Sequence, residues 1–165
     1  MYFALFISFI ILLRIGELIL SKKNENWLLK HNAIEYGQKH YPFIVALHVL
    51  FLVSMIIEYS IKQTNTFNPF LLVLYLLLLI FKVWIIVSLG KFWNTKIYHI
   101  SSFPLIKDGP YKYFKHPNYL VVIIEIGIIP MIFNLYWTSI VFTVLNFIML
   151  YVRIKEENKV LKNNY

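Results

Sequence analysis

Residues 69–89 read PFLLVLYLLLLIFKVWIIVSL, and Lys82 is the single charged residue in this run. At a rise of about 1.5 Å per residue, a helix of this length crosses the hydrocarbon core of a bilayer, which is about 30 Å thick. The run therefore predicts a membrane-spanning helix, and this helix decides the class of the fold.

Four further apolar runs flank this helix. They are Tyr2 to Leu20, Phe43 to Ile61, Tyr119 to Phe133 and Tyr136 to Val152. The last two are short and are separated only by Asn134-Leu135, which is typical of a tight helical hairpin, and Pro130 is expected to kink the first of them near the turn. We therefore predict an all-α integral membrane protein with five transmembrane helices and a C-terminal hairpin, in a single domain that covers residues 1–165.

The composition supports a membrane protein and excludes several functions. Hydrophobic residues make up 59% of the chain and charged residues only 15%, whereas soluble domains are about one quarter charged. The formal net charge of +8 would suggest nucleic acid in a soluble chain, but here the basic residues cluster between apolar runs, so we expect no nucleic-acid partner. The chain has no cysteine and its histidines lack zinc spacing, so neither a thiolate site nor a metal site is expected.

The loop charges predict how the helices are oriented. Three segments are rich in lysine and arginine, namely residues 21–42, 90–118 and 153–165. These segments lie on one side of a membrane only if there are five spans, and the positive-inside rule makes that side the cytosol. The N-terminus is therefore predicted to lie outside and the C-terminus in the cytosol.

The sequence also predicts a surface helix after Asn24 and the environment of Glu58. Asn24 is a good N-cap residue, and Gly37 can end a helix, so a short helix resting on the membrane surface is expected between them. Glu58 falls near the outer interface, where we expect it to be solvated.

Ionisable residues also occur inside the predicted spans, where charge is costly. In one interpretation they are structural: Arg14 and Glu17, three residues apart, satisfy each other, and Lys82 extends its ammonium group towards the interface. In the other they line a polar pocket that opens to the cytosol, because all of them, with His48, fall in the cytosolic half of their spans. Glu125 favours the pocket, since it is alone in its span and needs a partner or a proton.

The densest polar stretch runs from Asp108 to Leu120 and reads DGPYKYFKHPNYL. Gly109-Pro110 predicts a turn, and Pro117 biases His116 away from the helical region. His116 and Tyr119 therefore lie at the mouth of the apolar run that follows, where charged groups can meet the membrane without crossing it.

A second polar segment follows the last span without a proline or glycine to stop the helix. Here Arg153 shares a helix face with Glu156 and Glu157, which follow it by three and four residues. Taken alone, this pattern is typical of a solvated helix end with ordinary ion pairs.

Together the two segments resemble the isoprenylcysteine carboxyl methyltransferase family. These integral membrane enzymes use S-adenosylmethionine, and their signature joins an Arg-His-Pro-x-Tyr segment, a helical hairpin and an Arg-rich Glu-Glu segment. The resemblance covers residues 93–161. Earlier in the chain, Arg14-Ile-Gly-Glu-Leu and Lys23-Asn-Glu-Asn-Trp-Leu resemble the small bacterial branch, some members of which O-methylate alkylpyrones. The resemblance implies a cytosolic cofactor pocket in a bacterial plasma membrane.

The resemblance also implies roles for individual residues. Lys115 stands where the family usually has arginine, and the family's acidic pair falls on Glu157 and Asn158, with Glu156 at a variable position. The aromatic residues Tyr111, Tyr113 and Phe114 are expected to cover adenine or face the sulfonium. The expected cofactor-binding residues are His116, Tyr119, Glu157, Lys115, Tyr111 and Asn158. The catalytic candidates are Arg153, which would hold an anionic acceptor, and Glu125.

The predicted activity is S-adenosylmethionine-dependent O-methylation at the cytoplasmic membrane face. The expected substrate enters from the bilayer and carries an acidic oxygen, as an alkylpyrone, a polyketide phenol or an isoprenylcysteine-type carboxylate does. Phospholipid N-methylation is one alternative. The other is a small transporter or subunit, in which Lys82 and Glu125 would form an ion or proton relay, although no pair of broken spans in matching halves is visible.

Overall fold

The computed structural model describes residues 1–63, 66–100, 103–104 and 106–163, with side chains up to residue 159. In the part described, five α-helices account for most of the chain. They are α1 (Tyr2–Lys30), α2 (Tyr41–Lys62), α3 (Pro69–Leu89), α4 (Pro117–Met131) and α5 (Tyr136–Asn163). Two short strands, β1 (Ile34–Tyr36) and β2 (Ile97–His99), and two 3₁₀ turns, Gly90–Phe92 and Gly109–Lys112, complete the fold.

Four of the helical segments are long and apolar enough to cross a membrane: Tyr2–Lys30, Tyr41–Lys62, Pro69–Phe92 and Tyr136–Lys159. The shorter α4 is also apolar. The predicted all-α integral membrane fold with its C-terminal hairpin is therefore confirmed.

The hairpin of α4 and α5 is closed by backbone contacts. Pro130 lies one residue before the end of α4, and its carbonyl accepts a hydrogen bond of 3.0 Å from the amide of Leu135. Asn134 takes a positive φ of 56° to make the turn. Ser139 Oγ then donates to the carbonyl of Gly127 at 2.8 Å, which fixes α5 against α4.

Glu58 holds the start of α5. Its carboxylate accepts hydrogen bonds from the backbone amides of Trp137 at 3.2 Å and Thr138 at 2.7 Å, and Lys62 lies 3.0 Å away. The expectation that Glu58 is solvated was therefore wrong. The first amides of a helix have no intrahelical partner, so a nearby carboxylate binds them in preference to water.

The helices pack around an aromatic and aliphatic core at this same end of the bundle. Phe3 of α1 stacks on Tyr59 of α2 with ring centroids 3.8 Å apart and meets Phe133 edge-on at 5.2 Å. Met55, Ile126 and related side chains are almost fully buried in the same cluster. Burying these rings ties α1 and α2 to the α4–α5 hairpin.

At the other end of the bundle, α1 continues well beyond its apolar run. The short surface helix expected after Asn24 was wrong, because residues 21–30 contain no proline or glycine and continue α1 to Lys30. Asn24 is instead buried inside the helix, and its Nδ2 donates to the carbonyls of Gly90 at 3.1 Å and Trp93 at 2.7 Å. The segment after α3 is therefore fixed to α1.

The two strands make a second connection between these segments. β1 and β2 pair antiparallel, with Ile34 opposite His99 and Tyr36 opposite Ile97. Lys96 supports the pairing, since its ammonium lies 3.4 Å from carboxylates of both Glu25 and Glu35. Burial opposes the charge on Lys96, but the two carboxylates raise its pKa above the usual value.

Candidate functional site

A cavity of about 430 Å³ opens at this end of the bundle. Its walls come from the segment between Leu89 and Tyr119, together with Arg153 and Glu157 of α5. A volume of this order suits a ligand of nucleoside size. The polar stretch and the C-terminal segment singled out in the sequence therefore meet at one cavity.

Tyr119 lies at the centre of the polar wall. Its hydroxyl donates to Oε2 of Glu157 and accepts a hydrogen bond of 2.9 Å from Nε of Arg153. The guanidinium carbon of Arg153 also lies 5.3 Å from the centroid of the Tyr119 ring, within cation–π range. His116 stacks on Tyr119 at 5.3 Å, and its Nδ1 lies 3.6 Å from Glu157 Oε2. These four side chains form one connected group.

Local backbone geometry brings this group together. His116 is the N-cap of α4 with an extended φ of −134°, as expected for a residue before proline. Tyr119 follows three residues later and therefore lies on the same side of the first turn. Arg153 and Glu157 are four residues apart on α5, so both face Tyr119.

Gly109 sets the position of the 3₁₀ turn that carries Tyr111. Its φ is +55°, and a Cβ atom there would lie 2.2 Å from Oγ of Ser88, so only glycine allows this approach to α3. Tyr111 packs beside Ile85 and Val121 and lines the cavity. Burial, with a smaller contribution from Glu157, raises the pKa of the Tyr111 phenol.

The other predicted cofactor-binding residues divide into two groups. Lys115 lines the cavity from an exposed position at its rim, whereas Asn158 is not among the lining residues and its buried Oδ1 makes no hydrogen bond. Tyr113 and Phe114 are 72% and 48% exposed and do not line the cavity either, because only Tyr111 of the three aromatic residues turns inwards. Glu156 does not line the cavity either; it lines a small neighbouring cleft and pairs with Lys159 at 2.7 Å. The cavity therefore gathers His116, Tyr119, Glu157, Lys115, Tyr111 and Arg153.

Glu125 belongs to a different group, the buried ion cluster formed with Arg14, Glu17 and Lys82. Glu125 Oε2 lies 2.8 Å from Arg14 Nη2, and Glu125 Oε1 lies 3.0 Å from Lys82 Nζ. Glu17 pairs with Arg14 at 2.8 Å and also with Lys82. The cluster contains two cations and two carboxylates, so its formal charges cancel. None of the four residues lines the cavity.

This geometry favours the structural interpretation of the intramembrane charges. Lys82 is only 4% exposed, so the expectation that it extends to the interface was wrong. Two carboxylates inside the bundle accept charge-assisted hydrogen bonds from its ammonium group, and these are stronger than hydrogen bonds to water at the interface. The cluster is a structural element that joins α1, α3 and α4. Glu125 forms ion pairs within it and does not line the cavity.

The structure adds cavity residues that the sequence did not single out. Trp93 and Asn118 both line the cavity, and Trp93 Nε1 and Asn118 Oδ1 are buried without a hydrogen-bond partner among the described residues. His116 Nε2 is unpartnered in the same way. Unpaired polar atoms are rare in protein interiors, so their concentration at one cavity is typical of a ligand site. In the described residues, no group of three or more metal-ligating side chains occurs.

Arg153 occupies a distinct position at this site. With Lys96 and Ile97 it lines both the cavity and a small neighbouring cleft of about 10 Å³, which Tyr41 and Ile44 of α2 also line. Lys96 is paired with two carboxylates. Arg153 donates only to the hydroxyl of Tyr119 and, within the described part of the chain, forms no ion pair. The positive charge of Arg153 is thus available to bind an anion where the cavity and the cleft meet.

Comparison with known proteins identifies the family. The model of the isoprenylcysteine carboxyl methyltransferase family matches residues 71–163. The uncharacterized protein YpbQ of Bacillus subtilis is 40% identical over 162 residues, which cover 97% of this chain and 96% of the relative. An uncharacterized protein of Haemophilus influenzae is 30% identical over 159 residues, covering 93% of this chain and 91% of the relative. No solved structure matches.

The matched region contains the whole polar wall of the cavity, from Trp93 through His116 and Tyr119 to Arg153 and Glu157. The two relatives match 97% and 93% of this chain, so the similarity extends beyond residues 71–163 into the N-terminal helices. The chain therefore belongs to the isoprenylcysteine carboxyl methyltransferase family, and this membership indicates a methyltransferase embedded in a membrane.

Proposed function

We propose that the protein transfers a methyl group from S-adenosylmethionine to an acidic oxygen of a lipophilic substrate at the cytoplasmic face of a bacterial plasma membrane. The observation that carries this proposal is the position of Arg153. Its guanidinium borders the cavity and, among the described residues, has no carboxylate partner. An unpaired arginine beside a cavity is suited to bind an oxyanion.

The cavity suits S-adenosylmethionine in size and in chemistry. Glu157 offers a carboxylate to the ribose diol or the ammonium group, and Lys115 with His116 offers donors to the cofactor carboxylate. Tyr111 offers an aromatic face to the adenine or the sulfonium. Each charged part of the cofactor therefore has a partner of opposite charge, a hydrogen-bond donor or an aromatic face in the wall.

The roles of the protein in the reaction follow from these positions. S-adenosylmethionine, when bound, supplies a methyl group on a sulfonium, which an acceptor oxygen takes by in-line displacement as a neutral thioether leaves. Arg153 holds the acceptor as its anion, and Tyr119 holds Arg153 through Nε. Because an oxygen that is already ionised carries no proton to remove, no general base is required. The contribution of the protein is mainly orientation and electrostatics.

The charge of the cavity favours an anionic acceptor over an amine. Among the described residues, its charged lining consists of Lys96, which is paired with Glu25 and Glu35, and of Lys107, Lys115, Arg153 and Glu157. Three cations without a carboxylate of their own therefore stand against one carboxylate. A cofactor with a sulfonium adds positive charge, and an anionic acceptor offsets this charge, whereas an ammonium head would increase it. Phospholipid N-methylation is therefore the weaker alternative.

The membrane setting favours a substrate with an alkyl or prenyl tail. The cavity lies at the end of a bundle whose helices expose large apolar side chains along their lengths. A tail in the bilayer holds a small polar head at the interface, since each buried CH₂ contributes about 0.8 kcal/mol. The similarity of the N-terminal segments to the small bacterial branch supports an alkylpyrone or phenol over an isoprenylcysteine.

The transporter alternative loses its main support. An ion or proton relay needs a group that can gain and release charge, but Lys82 and Glu125 are held in a neutral cluster with Arg14 and Glu17. Such a cluster is stabilised as it stands, because removing one charge would leave another buried and unpaired.

The test offers purified protein two classes of acceptor with labelled S-adenosylmethionine. We expect methylation of an alkylpyrone, a lipophilic phenol or a prenylated carboxylate, and loss of most of that rate in Arg153→Gln. Methylation of phosphatidylethanolamine alone would contradict the acidic-oxygen proposal. Calorimetry with S-adenosylhomocysteine is the companion measurement, because absence of binding would contradict the cofactor itself.

A further inference from the structure

Trp93 stands out among the cavity residues because it is 3% exposed and, in the part of the chain that the structure describes, its indole Nε1 has no hydrogen-bond partner. The N–H of a buried tryptophan usually finds a partner. Trp93 lines the cavity and packs with Ile85 and Val121, so its ring lies against an apolar surface while its N–H remains unpaired.

The backbone at Trp93 is held from α1. Nδ2 of Asn24 donates to the carbonyl of Trp93 at 2.7 Å and to the carbonyl of Gly90 at 3.1 Å. Asn24 is only 5% exposed, and its hydrogen bond to the Trp93 carbonyl is buried. A single side chain therefore fixes both ends of the 3₁₀ turn that leads into Trp93.

Ser21, one helical turn before Asn24, extends this connection. Its Oγ accepts from the amide of Thr95 at 3.1 Å and donates to Oδ1 of Asn94 at 3.0 Å. The Nδ2 of Asn94 donates back to the carbonyl of Ser21 at 2.9 Å. Asn94 also lines the cavity. Thus α1, which lies outside residues 71–163, fixes part of the cavity wall.

We propose that Trp93 contacts the bound cofactor by donating its Nε1–H to a ring nitrogen of the adenine, and that Asn24 is the positioning residue for Trp93. This inference rests on the proposed function. The charged groups of the cofactor match Glu157, Lys115 and His116, which leaves the neutral heterocycle for a neutral donor. An indole N–H set among apolar side chains fits the nitrogen acceptors of a purine.

Tryptophan fluorescence with S-adenosylhomocysteine as the ligand tests the contact. We expect the ligand to change the emission of the wild-type protein. In Trp93→Phe, which keeps an aromatic ring but lacks the N–H, most of that change should disappear and the Kd should rise about 3- to 10-fold, as for one neutral hydrogen bond. Trp137→Phe is the matched control, because Trp137 is 72% exposed at the start of α5. It should keep both the signal and the affinity.

A double-mutant cycle tests the positioning role of Asn24. Asn24→Leu removes the donor at similar volume and should raise the Kd, while the double variant Asn24→Leu/Trp93→Phe should bind almost as well as the weaker single variant. Additive effects would contradict positioning through Trp93. Wild-type affinity and signal in Trp93→Phe would overturn the contact, whereas failure of the wild-type protein to bind would overturn the proposed function instead.

Discussion

Oε2 of Glu125 accepts a hydrogen bond of 2.8 Å from Nη2 of Arg14, although 111 residues separate the two along the chain. Lys82 of α3 binds the same carboxylate, with its Nζ 3.0 Å from Oε1 and 3.1 Å from Oε2. One buried side chain of α4 therefore binds both α1 and α3, and Glu17 of α1 also pairs directly with Lys82 of α3.

This joint predicts a specific pattern of stability. Glu125→Leu leaves Arg14 and Lys82 with one carboxylate between them and should destabilise the protein by about 3–5 kcal/mol, as removal of one member of a buried ion pair does. The double variant Lys82→Met/Glu125→Leu leaves the balanced pair of Arg14 and Glu17, so it should be more stable than Glu125→Leu alone. Thermal unfolding in detergent measures both, and a double variant less stable than the single one would contradict the prediction.

The acidic pair on α5 predicts a difference between two adjacent residues. Glu157 lines the cavity and binds Tyr119, whereas Glu156 pairs with Lys159. Glu157→Gln should weaken S-adenosylhomocysteine binding roughly 10- to 150-fold, the usual effect of losing a charge-assisted hydrogen bond. Glu156→Gln is the matched control and should bind normally in calorimetry. The reverse result would show that the assignment is shifted by one residue.

His116 and Tyr119 provide a second comparison at the same wall. His116→Ala removes a ring that stacks on Tyr119, and Tyr119→Phe removes the hydroxyl that joins Arg153 to Glu157. We expect both variants to bind S-adenosylhomocysteine more weakly while remaining folded by circular dichroism. Unchanged binding in both would exclude this wall from the cofactor site.

The five helices and the loop charges predict the topology. A reporter fused after Tyr165 should be active only in the cytosol, and a reporter fused before Met1 only outside. The measurement is the activity of compartment-specific reporters in intact bacteria. A cytosolic N-terminus would place the cavity on the other face and remove access to a soluble cofactor.

The proposed entry of the substrate from the bilayer predicts a dependence on tail length. A tail of ten carbons contributes about 8 kcal/mol to partitioning at ~0.8 kcal/mol per CH₂. Truncating the tail should therefore raise KM steeply and change kcat much less, because the head that reacts is the same. Methylation assays in lipid nanodiscs with long and short tails measure the two constants. Equal KM values would contradict entry from the membrane.

The sequence was sufficient for the fold because its main signal is length and hydropathy. The run at residues 69–89 contains one charge. Inside a bilayer its backbone N–H and C=O groups must form their hydrogen bonds within the segment, so the run has to be a helix. The interior partners of Lys82 and the capping role of Glu58 could not be obtained in the same way. Both depend on contacts between segments far apart in the chain, and local spacing carries no information about such contacts.

At the site, too, some residues could be predicted from local sequence and others could not. His116, Tyr119 and Glu157 belong to motifs that the family resemblance identifies, and the structure brings them to one cavity. Trp93 was not singled out in the sequence, and Asn24 was interpreted there as an N-cap residue. The strands beside them are three residues long, too short to show an alternating pattern. Only the folded chain reveals that α1 forms hydrogen bonds with the wall of the cavity.

The neutrality of the ion cluster has a consequence for how the protein is inserted into the membrane. The intramembrane charges of α1, Arg14 and Glu17, cancel each other when that helix enters the membrane. In contrast, α3 carries Lys82 alone and α4 carries Glu125 alone until the two helices meet. A single charge near the centre of an inserting helix costs about 2.5–3.5 kcal/mol at the translocon. Each of these helices is therefore a poorer insertion substrate by itself than when the two enter side by side. We expect α3 to be retained at the translocon until α4 has been synthesised, so that the two helices pass into lipid as a pair.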